Sequence, residues 1–198
     1  DAAIAAAGTG DPALPTTVTL LADCELTQCC VISKTVTLDI GEFDVTASTA
    51  DGVLEDDGYG AKRFVNGTPR TTLFVVEHGA NLTVRGTTGT IDASTALVGA
   101  AITMTKSGDD ATKGDAVLTV NANLSGYYYA IAGNGKRPGS EITINRGTIQ
   151  GTKANDSAGI YAPQNGTIDI NGGTITGATG IYAKSGDLTV NGGTIAAV

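Results

Sequence analysis

The feature that most narrows what this chain can fold into is a repeated block. Towards the C-terminus it reads GTIDINGGTITGATGIYAKSGDLTVNGGTI, in which a unit of the type x-Ile/Leu-Thr-Val-Asn-Gly-Gly-Thr-Ile occurs twice. The first apolar residue of each copy is Ile142, Ile168 or Leu188, and the pattern continues upstream, with decay, as Leu118, Leu82 and Val36. A second apolar residue follows two positions later, as Leu38, Val84, Val120, Ile144, Ile170 and Val190. A third follows as Phe43, Ile91, Leu124, Ile149, Ile175 and Ile195. Period-two alternation sends successive side chains to opposite faces, so each block is a strand with its odd members facing in. A further short strand precedes several blocks, as in Phe74-Val75-Val76, Gly159-Ile160-Tyr161-Ala162 and Gly180-Ile181-Tyr182-Ala183. Three short strands per unit of about twenty residues, none able to bury its apolar side alone, mark a parallel β-solenoid whose stacked coils close the core.

Stacking also accounts for the corner residue. Three positions after the first apolar residue stand Asp39, Asn121, Asn145, Asn171 and Asn191, with Arg85 the one departure. Asn and Asp tolerate the left-handed backbone and cap their own turns, so an asparagine ladder is expected where like turns lie one above another. Glycines follow at Gly172, Gly173, Gly192 and Gly193, where the chain must turn sharply. The outward threonines Thr37, Thr83, Thr119, Thr143 and Thr189 form a matching column that reads as ordinary strand surface.

These blocks, TVTLDIGEFDVT, NLTVRGTTGTI, EITINRGTI, TIDINGGTI and DLTVNGGTI, resemble the coils of right-handed parallel β-helix proteins. They are most similar to the cell-surface, adhesin-like β-helix regions of Gram-positive gut bacteria. The Ala-rich opening DAAIAAA followed by TTVTLLADCEL is similar to the short helix and first strands that begin such regions. The resemblance implies an all-β, single-domain right-handed parallel β-helix over residues 1–198: a helical cap at 1–7, first coils at 16–46, loop excursions at 47–72 and 103–116, and regular coils over 117–198. It implies an extracellular, cell-surface location and adhesion or carbohydrate contact through displayed loops. Because the fold also carries polysaccharide lyases and glycosidases, a polysaccharide-active enzyme and a purely structural stalk or assembly module stay open as alternatives.

Composition excludes several other classes. Twenty acidic residues against twelve basic give a net charge of -8, which repels polyanions, so no nucleic-acid partner is expected. No apolar run approaches the ~18 residues of a membrane span, and no leader pattern opens the sequence. The last block runs directly into Gly193-Thr-Ile-Ala-Ala-Val198, so continuation into more coils or pairing at an open C-terminal coil is expected.

For ligands, glycans or surface molecules of host or bacterium are the expected partners, and no cofactor is expected. The candidate contact residues are Tyr59, Asp56 and Asp57 in the longest excursion and Tyr128, Tyr161 and Tyr182 on the coils. Tyr161 and Tyr182 point outward, because their Ile and Ala neighbours take the inward positions; at least one ring of Tyr127-Tyr128-Tyr129 does so too. Asp109 and Asp110 are the candidates for calcium, set against the facts that acidic turn residues are mostly solvated and that no calcium-loop motif is present. Paired carboxylates suited to glycoside chemistry are not evident on the coils. His78 reads as a solvated turn residue. Alternation places Cys24 and Cys30 inward as small hydrophobes and Cys29 outward, and a bridge from Cys24 to Cys29 or Cys30 stays open.

Overall fold

The structure, a computed structural model, describes residues 16–68, 70–105, 110–133, 139–162 and 165–198. Among these the protein is all-β, a 3-10 turn at Ala111–Lys113 being the sole helical element. The helical cap expected at 1–7 lies outside the described residues.

All but two of the described strands fall into two parallel sheets. In the larger, Thr16–Thr19, Thr35–Gly41, Asn81–Asp92, Ala116–Gly126, Ser140–Arg146, Gly166–Ile170 and Asp187–Val190 follow one another as hydrogen-bonded neighbours. A second row of the same sheet runs through Cys24–Leu26, Val45–Ala47, the far halves of the two long strands, Thr148–Gly151, Thr174–Gly177 and Thr194–Ala197. The smaller sheet stacks Cys30–Ile32, Thr72–Val76, Ala100–Met104, Tyr129–Gly133, Ala158–Ala162 and Thr179–Ala183. Each complete passage along the chain therefore contributes to all three rows, and its strands pair with those of the passages before and after.

The register matches the repeat. Val36, Leu82, Leu118, Ile142, Ile168 and Leu188 are successive pairing partners, as are Leu38, Val84, Val120, Ile144, Ile170 and Val190. All are buried except Leu188 and Val190 on the last strand of the row. Apart from Val36, Leu188 and Val190, they join Ile32, Phe74, Ile102, Ile131 and Ile160 from the smaller sheet in one continuous apolar core. Fully burying each Leu or Ile stabilises the fold by roughly 1.5–3 kcal/mol, and a one-residue slip would turn the whole set outward. The threonine column is continuous as well, running from Thr17 through Thr37, Thr83, Thr119 and Thr143 to Asp169 and Thr189.

The third row corrects one expectation. Val45 rather than Phe43 pairs with Ile91 and is buried, while Phe43 is half-exposed in the turn before it. The interval from first to third apolar position is thus nine residues in both early copies, 36 to 45 and 82 to 91.

The asparagine ladder is realised over part of its expected length. Asn171 Nδ2 donates to Asn145 Oδ1 at 3.0 Å, and Asn191 Nδ2 donates to Asn171 Oδ1 at 2.9 Å. Asn121 does not join it: the pairing shifts after Val120, so Asn121 faces Arg146 and Asn145 is the extra residue on its strand. Asp39 instead pairs with the Arg85 guanidinium at 3.2 Å and accepts the N–H of Gly41. A second polar column, not legible from the repeat, joins neighbouring levels at the next corner. Asp23 Oδ1 accepts from Asp44 N, Asp44 Oδ1 from Thr90 N, and Asn123 Oδ1 from Thr148 N, at 2.8–3.0 Å. Asn123 also donates back to the Thr88 carbonyl at 3.1 Å.

The excursion at 47–72 is more ordered than a loop. Leu54–Asp56 and Lys62–Phe64 pair as an antiparallel hairpin, Phe64 is fully buried, and Lys62 N donates to the Leu97 carbonyl at 2.8 Å. A buried Phe explains why this segment packs against the sheets instead of projecting freely. At 103–116, Thr103 and Met104 still belong to a strand and Ala116 begins the next.

Candidate functional site

The outer face of the smaller sheet gathers the tyrosines. In Ala158–Ala162 the buried Ile160 and Ala162 face the core, which leaves Tyr161 outward, directly paired with Tyr182. Their rings stack at 5.1 Å between centroids and 20° between planes. The backbone position across from Tyr161 on the other side is Ala132, yet the Tyr129 ring reaches over it and stacks on Tyr161 at 4.7 Å and 16°. Tyr128 lies 5.9 Å from Tyr129, and Tyr127 meets Tyr128 edge-on at 5.2 Å. All three rings of the triplet are therefore part of the patch.

A turn on the adjoining level completes it. Thr152 N and Lys153 N donate to the carbonyls of Gly126 and Tyr127, which sets Lys153 against the triplet. Its Nζ sits 4.3 Å from the Tyr128 ring centroid, donates to Tyr128 Oη at 3.1 Å and pairs with Asp156 at 3.0 Å. The Tyr128 hydroxyl and the Asp156 carboxylate raise the Lys153 pKa, so the ammonium stays charged across the neutral range. Tyr128 Oη in turn donates to the Tyr59 carbonyl at 2.5 Å, tying the hairpin to the patch. Partial burial, with the Tyr161 ring beside it, raises the Tyr129 pKa, so its hydroxyl remains a donor into the alkaline range.

The stacking decides what the patch offers. Tyr161 has a ring on either side, so its faces are covered and its edge and hydroxyl turn to water. Tyr182 is 48% exposed. The patch is a row of phenol edges repeated at the strand spacing, with Asn155, Asp156 and Thr179 along one side of a shallow cleft. It suits a ligand rich in hydroxyls that accepts and donates hydrogen bonds in sequence.

Among the expected contact residues, Tyr128, Tyr161 and Tyr182 come together, and Tyr59 joins through its carbonyl. Asp56 and Asp57 serve the hairpin instead. Asp56 pairs with Lys62 at 2.8 Å, and Asp57 Oδ1 accepts the N–H groups of Tyr59 and Ala61 at 2.7 and 3.0 Å. Sequence reasoning missed Lys153 and Asp156, which lie outside the two excursions expected at 47–72 and 103–116.

Other candidates resolve differently. Asp109 lies outside the described residues. Asp110 caps the 3-10 turn, its Oδ1 accepting from Thr112 Oγ1 and N at 2.6 and 3.0 Å, and those bonds lower its pKa. Among the described residues no cluster of His, Cys, Asp and Glu is arranged to hold a metal. His78 is buried, 3% exposed, with Nδ1 3.0 Å from the Gly114 carbonyl, which corrects its expected place in solvent. Its position beneath Gly139 follows from the close approach of that glycine to the ring.

None of the three cysteines is in a disulfide. Cys30 is buried in the smaller sheet and Cys24 half-buried in the larger, as alternation required, whereas Cys29, expected outward, packs partly against the core. Burial pushes the Cys30 thiol up to about 11. In the folded protein at pH 8, iodoacetamide is expected to leave Cys30 unmodified over a period in which urea-unfolded chain is fully alkylated. Peptide mapping reads this, and equal labelling in both states would contradict the burial.

No protein-family model, curated protein or solved structure matches the chain.

Proposed function

We propose that the chain is a right-handed parallel β-helix, a segment of a bacterial cell-surface protein that contacts carbohydrate without transforming it. Three rows of in-register parallel strands support the β-helix, and the right hand follows the general preference of parallel crossover connections. The surface location rests on the resemblance of the repeat blocks.

One observation carries the carbohydrate reading: five of the six tyrosines of the chain join one patch through ring contacts, and the backbone carbonyl of the sixth, Tyr59, accepts the Tyr128 hydroxyl at its end. Cross-strand packing alone accounts for the stacked pairs. It does not account for Tyr127, Tyr128 and Lys153 converging on the same face. Many acidic side chains are meanwhile engaged in turns and ion pairs, Asp44, Asp57, Asp92 and Asp110 accepting N–H groups and Asp39, Glu55, Asp56 and Asp156 facing cations.

A glycan array followed by affinity electrophoresis tests the reading. Retention by at least one polysaccharide is expected, with no release of reducing or unsaturated ends. Tyr161→Ala and Tyr182→Ala each weaken retention by about tenfold. Released sugar ends would establish the enzyme instead, and absence of retention by any glycan would leave the structural stalk.

A further inference from the structure

Arg70 follows the hairpin and returns to it, its carbonyl accepting from Phe64 N at 2.9 Å. The Nε of its guanidinium is shielded from water, and among the described residues no acceptor lies within hydrogen-bond reach of it. A cationic edge desolvated in this way has surrendered hydration without gaining a partner, and an anion at its remaining edge offsets that loss.

The surroundings favour such an anion. Arg70 lines a cleft with Asp57, Tyr59, Arg63 and Thr71. Arg63 directs Nε and Nη2 to Glu55 Oε1, each at 2.8 Å, while Asp57 Oδ1 is taken by its own turn. With Arg63 held by Glu55, Arg70 is the guanidinium of the lining for which no carboxylate pairing is seen among the described residues, in a chain whose overall charge is -8. Tyr59, on the rim, accepts the Tyr128 hydrogen bond, so the cleft opens at the head of the tyrosine row.

We propose that this cleft is a subsite for an acidic sugar: the carboxylate of a uronic acid unit lies against the planar edge of Arg70, with Arg63 beside it, while the rest of the glycan follows the tyrosine hydroxyls. The proposal rests on the carbohydrate reading above. It uses the guanidinium fork, which matches a carboxylate with two parallel N–H bonds where an ammonium offers only a point charge.

The test titrates the full chain, by isothermal calorimetry, with polygalacturonate, alginate and hyaluronan, each beside its carboxyl-reduced neutral counterpart. In at least one pair the acidic polymer is expected to bind about tenfold more tightly than the neutral one. Arg70→Gln removes that preference and leaves neutral binding unchanged, Arg70→Lys keeps only part of it, and Tyr161→Ala weakens both polymers. Circular dichroism melting of Arg70→Gln and Arg70→Lys checks that each folds. Equal binding of acid and neutral forms, or a preference that survives Arg70→Gln, overturns the subsite and leaves the carbohydrate reading standing. Binding to neither form of any pair overturns both.

Discussion

Replacing Leu118 with alanine is expected to lower the unfolding free energy by about 3–5 kcal/mol, whereas the same truncation at Leu188 lowers it by about 1 kcal/mol. The two residues share one row. Leu118 is fully buried between Leu82 and Ile142, so its removal forfeits the transfer free energy of the side chain and leaves a cavity between two strands that cannot move together. Leu188 backs only Ile168 and is 44% exposed, so less area returns to water and solvent fills the space. Urea titration followed by far-ultraviolet circular dichroism measures both. Equal losses at the two positions would show that the row does not act as a single core.

The second large effect is expected at a corner. Gly147 has φ +104, and a Cβ built there would lie 2.0 Å from the Ala122 carbonyl oxygen on the neighbouring level. Gly147→Ala therefore combines backbone strain of about 1–3 kcal/mol with a collision against main chain that only a spread of the two levels relieves. A loss above about 2 kcal/mol is expected. Gly41 is the control: at φ +56 it too is left-handed, but its Cβ would meet nothing within 4 Å, so Gly41→Ala costs about 1 kcal/mol. Thermal unfolding of the two variants separates the terms, and indistinguishable midpoints would remove close stacking as the cause.

The strand rows were legible because alternation reports directly on which side chains face in. That is why Val36 and Leu188 could be placed in one column from opposite ends of the chain. Turn lengths were not legible in the same way. Phe43 fitted the spacing of the later copies, but the early corner holds two more residues, and Val45 takes the inward place because the Asp23, Asp44 and Thr90 hydrogen bonds hold the wider turn. Those bonds join residues distant in sequence, so no local pattern announces them.

The site was partly legible for a related reason. Tyr161 and Tyr182 lie on regular strands, where period two gives direction, while Lys153 reaches Tyr128 only because one turn overlies another. The hairpin hid its packing behind an acidic, glycine-rich segment; the signal available was Phe64, a large apolar residue amid charges. The corner ladder shows the converse, since Asn121 carries the right residue type but a one-residue bulge withdraws it from the column.

The parallel pairing of successive levels has a mechanical corollary. Neighbouring passages are joined by rows of backbone hydrogen bonds, and no disulfide among the three cysteines ties one to another. A pull that drags one level sideways past the next must break a whole row at once, whereas a pull that lifts the chain from one end peels a single level at a time. The same stack is therefore stiff under shear and compliant to unravelling, and the direction in which tension reaches it decides which behaviour it shows.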